Sequence, residues 1–205
     1  VLDLFIGSGT SAIEAVQLNR RLVGVELKPG LVEAVRAKIP SALLDDRICI
    51  LQGDSTRAET ASRVRQTLAS MDAEHAQLLI LHPPYHDIIQ FSDKSADLSN
   101  APSLEAFLEL FETTAHHGFE LLEPGRFAVL VIGDKYQKGE LIPLGFHCLG
   151  RMQRAGFRTK AIVVKNITGN ELGKGRDSNL WRYRALAGGY YIFKHEYVIV
   201  FEKPV

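Results

Sequence analysis

Cysteine is nearly absent from this chain. Only Cys49 and Cys148 occur among 205 residues, which excludes a disulfide scaffold and a Cys-rich zinc site and makes a reducing cytoplasm the expected setting. No run approaches the ~18 consecutive apolar residues of a membrane span. The start carries no signal-peptide pattern, so no membrane partner is expected. Internal repeats and low-complexity tracts are lacking as well. Net charge is missing too, because 24 Lys and Arg face 24 Asp and Glu. Taken as a total, that balance argues against a nucleic-acid partner. The total hides a division. Residues 1–149 hold 13 basic and 20 acidic side chains, whereas residues 150–205 hold 11 basic and 4 acidic. A basic carboxyl-terminal segment beside an acidic body is the asymmetry of a nucleic-acid face.

What is present in quantity is apolar sequence. With 46% hydrophobic and 23% charged residues, the chain has the composition of a soluble globular protein. Its length suits a single domain over residues 1–205. Apolar runs alternate with amphipathic stretches. Strands are expected at Val1–Phe5, Arg21–Glu26, Arg47–Gly53, Leu78–Leu81, Arg126–Gly133, Thr159–Lys165 and Glu196–Glu202. A first helix, capped by Ser8 or Thr10, is expected to run to Asn19. Further helices are expected at Pro29–Lys38, Arg57–Ala69, Ser103–Leu122 and Pro143–Ala155. This alternation means an α/β fold with a mostly parallel sheet covered on both faces. The last two apolar runs lack a helix between them and are expected to pair antiparallel. Because Val1–Phe5 drops straight into an apolar strand, residues are expected to precede it.

Asp3-Leu4-Phe5-Ile6-Gly7-Ser8-Gly9-Thr10 sits where the first strand turns into the first helix. Glycines there let the backbone approach a ligand, and a helix amino terminus presents unpaired N–H groups. The dinucleotide fingerprint fails, since Gly7-x-Gly9 is followed by Ala12, and a Walker loop fails for want of Lys. Glu26 closes the second strand, where a carboxylate can accept both ribose hydroxyls. Asp54 closes the third, placed for an exocyclic adenine amine. Each acid alone reads as a turn cap or a solvated strand end; together they describe a nucleoside cradle at the carboxyl edge of the sheet.

His82-Pro83-Pro84-Tyr85 follows the fourth strand. Two prolines cannot extend a strand ladder and hold a rigid extended turn. Tyr85 offers a flat face for stacking, and the Pro83 carbonyl and His82 can accept hydrogen bonds from a planar amine.

Asp3-x-Phe5-x-Gly7-x-Gly9-Thr10 together with Pro83-Pro84-Tyr85 resembles the DNA amino-methyltransferases that modify adenine N6 or cytosine N4. Leu121 to Arg126 is similar to the turn before that family's fifth strand, and His195 to Phe201 to its closing strand. The resemblance implies a class I methyltransferase fold: a Rossmann-like, doubly wound, mostly parallel sheet with an antiparallel last strand. It also implies S-adenosyl-L-methionine as cofactor, no metal, and DNA methylation of the restriction-modification kind on a base flipped from the duplex. By that match Asp3, Phe5, Gly7, Gly9 and Thr10 line the cofactor site, with Glu26 on the ribose and Asp54 on the adenine. His82, Pro83, Pro84 and Tyr85 form the catalytic tetrad. The family has Asp, Asn or Ser where this chain has His82. Neutral imidazole can replace that acceptor and imidazolium cannot, so activity is expected to fall as His82 protonates.

Residues 166–189 form a long basic and aromatic loop before the last strand. Lys174, Arg176, Trp181, Arg182 and Arg184 suit phosphate contact and base stacking; packing of the aromatics onto the core is the plainer alternative. Asp87, Phe91, Ser92 and Asp93 suit a substrate pocket or a plain loop. Similar Pro-Pro-Tyr tetrads serve guanine N2 in transfer RNA and glutamine in proteins, so RNA is the rival substrate. A catalytically silent binding subunit with the same fold is the rival from another class.

Overall fold

Buried apolar strands and one-sided helices assemble around a single sheet, seen in a computed structural model that describes residues 1–84, 98–137, 139–166, 187–189 and 194–205. In chain order the elements are β1 (Leu2–Asp3), α1 (Thr10–Gln17), β2 (Leu22–Glu26), α2 (Pro29–Arg36), β3 (Ile48–Gln52), α3 (Ala58–Ser70) and β4 (Ala76–Leu81). There follow α4 (Leu104–Leu121), β5 (Leu122–Ile132), β6 (Lys135–Gln137), β7 (Glu140–Ile142), α5 (Leu144–Arg154), β8 (Arg158–Asn166) and β9 (His195–Glu202). Seven strands pair in the order β3-β2-β1-β4-β5-β9-β8, while β6 and β7 form a separate hairpin. Within the seven-stranded sheet β9 runs antiparallel to both β5 and β8, and the other pairs are parallel.

The sheet divides its helices between two faces. Val64 and Leu68 of α3, Phe107 and Phe111 of α4, and Cys148 and Met152 of α5 share one core with Leu79, Leu130 and Phe201. Ala12, Ala15, Val32 and Val35 of α1 and α2 share the other with Leu22, Ile48 and Ile50. Full burial of a side chain such as Phe107 or Phe201 stabilises by about 1.5–3 kcal/mol. α4 starts where the Ser103 hydroxyl accepts the Ala106 amide at 3.1 Å, a capping arrangement that satisfies one orphan donor. Beyond α1 and α2, on their side of the sheet, Phe127 and Val163 stay 43% and 51% exposed. Among the described residues no helix is long and apolar enough to cross a membrane.

Strand order reverses between β1 and β4, because the chain winds outward through β2 and β3 on one side and through β5 on the other. That switch point opens a crevice at the carboxyl ends of the strands, the place where such sheets bind ligands.

Three local expectations need correction. β1 ends at Asp3 rather than Phe5, yet pairing persists past the strand, as the Leu4 amide donates to Ile80 O at 3.3 Å and the Ile6 amide to Val25 O at 3.1 Å. Neither Ser8 nor Thr10 caps α1. The cap is Gly9, in the left-handed region at φ 88°, and it makes no side-chain bond. A Cβ there would also lie 2.7 Å from Val35 Cγ1, so the position needs glycine for conformation and for the approach of α2. β5 starts at Leu122, directly after α4, instead of at Arg126.

Candidate functional site

The crevice takes its first wall from the loop between β1 and α1. Asp3 is 4% exposed. Its Oδ1 accepts the Phe5 amide at 2.9 Å, and its Oδ2 accepts the Ser11 hydroxyl. Burial raises the Asp3 pKa, while those two hydrogen bonds oppose the shift. Asp3 therefore fixes the shape of the loop from beneath. Phe5 is half-buried against the larger core, and Thr10 is the exposed first residue of α1.

Glu26, at the end of β2, reaches across to this loop. Its Oε2 accepts the Gly7 amide at 3.1 Å, and its Oε1 accepts the Lys28 amide at 2.9 Å. Burial draws its pKa above the ordinary value against both bonds. Each carboxylate oxygen retains a second lone pair. Gly7 is left-handed at φ 53°, and a Cβ there would meet nothing closer than Phe5 O at 3.8 Å. A Cβ at Gly7 would make one ordinary contact, with a backbone oxygen, and no clash.

Asp54 closes the next strand end and is engaged locally. Its Oδ1 accepts the Thr56 amide at 2.9 Å and the Thr56 hydroxyl at 2.8 Å, while Oδ2 lies 3.4 Å from Arg57 Nε. The neighbouring Ser55 is 8% exposed. Its hydroxyl donates to Leu4 O at 2.6 Å, and its own carbonyl lies 3.0 Å from His117 Nδ1. One serine thereby joins the β1 loop, the end of β3 and α4.

His82, Pro83 and Pro84 continue from β4 across the switch point. Pro83 is buried and His82 keeps an exposed surface. Protein packed around the imidazole lowers its pKa from 6.5; Glu196 opposes that shift and Lys165 adds to it. Since the ring still meets water, the lowering is smaller than for a sealed histidine. Tyr85 lies outside the described residues, as do Asp87, Phe91, Ser92, Asp93, Lys174, Arg176, Trp181, Arg182 and Arg184.

A second polar cluster lies near β5 and β9. Tyr197 donates its hydroxyl to Asp134 Oδ2 at 2.9 Å, and Asp134 Oδ1 accepts the Gly145 amide at 3.0 Å. Burial, followed by the Asp134 contact, pushes the Tyr197 phenol up to about 12. Lys165 donates to Glu196 Oε1 at 2.6 Å. Ser11 and Ser55 belong to no motif; Asp134 lies just past β5, and Glu196 and Tyr197 fall in the stretch His195 to Phe201 that resembles a closing strand.

The basic segment is less open than its composition implies. Arg151 and Arg154 bind Glu112, Lys160 binds Glu202, and Lys165 binds Glu196. Among the described residues much of that charge is thus neutralised by carboxylates.

No protein-family model matches the sequence, and no curated protein matches it either. Solved structures match in fold. TrmN from Thermus thermophilus superposes with a TM-score of 0.56 at 19% identity, over 98% of this chain and 43% of that chain. A methyltransferase from Pyrococcus furiosus does so at 0.56 and 12% identity, over 100% of this chain and 74% of its own. The cyclase SpnF reaches 0.61 at 14% identity, over 100% and 75%. The chain accordingly has the class I methyltransferase fold, a mostly parallel seven-stranded sheet flanked by helices. It spans less than half the length of TrmN. A methyltransferase and a cyclase on one fold show that the site, and not the fold, must carry the argument for function.

Proposed function

We propose that this chain is an S-adenosylmethionine-dependent methyltransferase acting on the exocyclic amine of a DNA base, adenine N6 or cytosine N4. One observation carries the reading. The glycine loop tied to Glu26 and the His82-Pro83-Pro84 turn share the rim of the switch point, so a nucleoside cradle and an amine acceptor adjoin.

The residues present fit the cofactor. Gly7 puts no side chain between the loop backbone and a ligand, and Glu26 retains acceptor capacity for ribose hydroxyls. An adenine amine would have to share Asp54 Oδ2 with Arg57. When bound, S-adenosylmethionine supplies an electrophilic methyl group. This chain's own part is to orient and to accept a proton. A neutral His82 ring nitrogen and the Pro83 carbonyl accept from the target amine and hold its lone pair toward the cofactor site, and Tyr85 stacks on the base. Alignment of that kind supplies most of the acceleration. The base must leave the stack to reach this rim.

The test is transfer of a tritiated methyl group to DNA, transfer RNA and protein, run beside calorimetric titration of the folded protein with S-adenosylmethionine. Label in adenine or cytosine of DNA is the expected result. Label in transfer RNA alone would move the substrate to guanine N2 chemistry. Absence of cofactor binding would replace the enzyme with a silent subunit.

A further inference from the structure

Two rows of apolar side chains cross β4, β5, β9 and β8 on the side of the sheet that α1 and α2 occupy further along. Ile80 is in register with Val129, Val129 with Val200, and Val200 with Ala161. Val131 is in register with Val198, and Val198 with Val163. None of these side chains is buried, and none belongs to either apolar core. Their chain neighbours Leu130, Ile132, Ile199 and Phe201 point to the α3–α5 side and are at most 1% exposed. Strands that are apolar at successive positions, as Phe127–Ile132 and Val198–Phe201 are, belong to sheets buried on both faces. Here one face is sealed and the other meets water, with Phe127 and Val163 43% and 51% exposed. Contiguous apolar patches of this kind are commonly contact surfaces.

Charge and shape suit this face to a second copy of itself. The charges that border it are matched within the chain. Lys165 donates to Glu196 Oε1 at 2.6 Å, and Lys160 donates to Glu202 Oε2 at 3.1 Å. Two copies therefore bring apolar rows together without opposing unmatched charges. Sheets stack face to face about 10 Å apart, and a helix with its side chains is about as thick. A second sheet thus fits beside α1 and α2, in the layer they occupy. Of the two-fold axes that stack these faces, one across the strands would lay the second copy's α1 and α2 on those of the first. An axis along the strands, between β5 and β9, sets the second copy's β8 over β4 instead. Its α1 and α2 then come beside the β8 edge, where Ile162 and Val164 are 44% and 57% exposed. That edge decides the size of the contact. Four strands at about 4.8 Å and five residues at about 3.3 Å give a face of roughly 300 Å² per copy. Both faces together fall short of the ~1,200 Å² of a specific interface, so the contact must take in the edge as well.

We propose that a second copy of this chain covers the open face of β4, β5, β9 and β8, forming a two-fold dimer with its axis along the strands. Rotation about such an axis leaves strand direction unchanged. Both switch-point crevices consequently open at the same end of the dimer. The dimer does not depend on which reaction, if any, those crevices support.

Sedimentation equilibrium of the whole protein, from about 1 μM to about 1 mM, should show twice the chain mass, with a dissociation constant in the micromolar range or below. Val163→Asp and Phe127→Asp each set a carboxylate on the face at an exposed position. Each should raise the dissociation constant about tenfold or more while leaving the far-ultraviolet spectrum unchanged. Val129→Cys tests the axis. Cys49 and Cys148 are buried, and the axis places Val129 roughly 11 Å from its copy. A bismaleimide of that span should join two Val129→Cys chains and leave Arg65→Cys, on α3, unjoined. A monomer throughout the concentration range overturns the proposal. So does a dimer that both aspartates leave intact, or one that Val129→Cys fails to cross-link. If Phe127→Asp does not fold, Val163→Asp decides in its place.

Discussion

The Gly7 amide donates to Glu26 Oε2 across 3.1 Å, so the glycine loop and the end of β2 form one unit before any ligand arrives. Glu26→Ala would strip the acceptor from both the Gly7 and the Lys28 amides. Stability should fall by about 1–3 kcal/mol. Affinity for S-adenosylmethionine should fall about tenfold or more, each tenfold being about 1.4 kcal/mol. Glu26→Gln, which keeps one oxygen, should lose less of both. Urea unfolding and calorimetry read the two quantities.

Gly7 and Gly9 should separate binding from stability. Gly9→Ala places a Cβ 2.7 Å from Val35 at a left-handed φ, a steric clash added to backbone strain of roughly 1–3 kcal/mol. Adding Val35→Ala should recover the steric part alone. Gly7→Ala meets only Phe5 O at 3.8 Å and should cost about 1 kcal/mol. A methyl group added to the proposed cofactor loop should weaken S-adenosylmethionine binding far more than it lowers the unfolding midpoint.

Acid should loosen the α4–α5 contact. Arg154, with Arg151, holds the Glu112 carboxyl down at about 2 from an ordinary 4.5. A carboxylate lowered in the folded state stabilises fully above pH 4.5, and that contribution is lost as pH falls toward about 2. Glu112→Gln should flatten this part of the acid limb in thermal melts while leaving the neutral-pH curve shape intact.

His82 should set the acid limit of methyl transfer. With its pKa lowered from 6.5, the ring stays neutral at pH 7 and the limb should fall below 6.5. His82→Asn supplies an oxygen acceptor that does not titrate. Its rate should be level from about pH 5 to 8, across the range where histidine normally switches.

Periodicity made the architecture legible. Each buried strand of the sheet and each helix from α1 to α5 has the apolar spacing that its packing requires, as with Phe107, Leu108, Phe111 and Ala115 along α4. Exact strand ends were harder to read, because they depend on bonds between distant residues. Asp3 turns the backbone through its Ser11 and Phe5 contacts, and composition does not reveal that. The Gly9 cap was hidden because the reason for it is Val35, far along the chain. The places of Gly7 and Glu26 beside strand ends were legible, and the hydrogen bond between them was not. Asp54, beside the end of β3, engages Thr56 and Arg57, contacts that its position in the sequence does not announce. Glu196 and Lys165 could not be told from solvated strand charges without knowing which strands are neighbours.

β9 lies between β5 and β8, and among the described residues β8 pairs with no other strand. Chain order thus runs against spatial order: β8 is synthesised before β9, the strand that joins it to the rest of the sheet. From Asn166 to Glu202 a ribosome needs roughly 2–7 s at about 5–20 residues per second. During that interval the edges of β5 and β8 are both bare. A nascent chain stalled there would be a template for intermolecular strand pairing, which makes this the interval in which a chaperone would matter most.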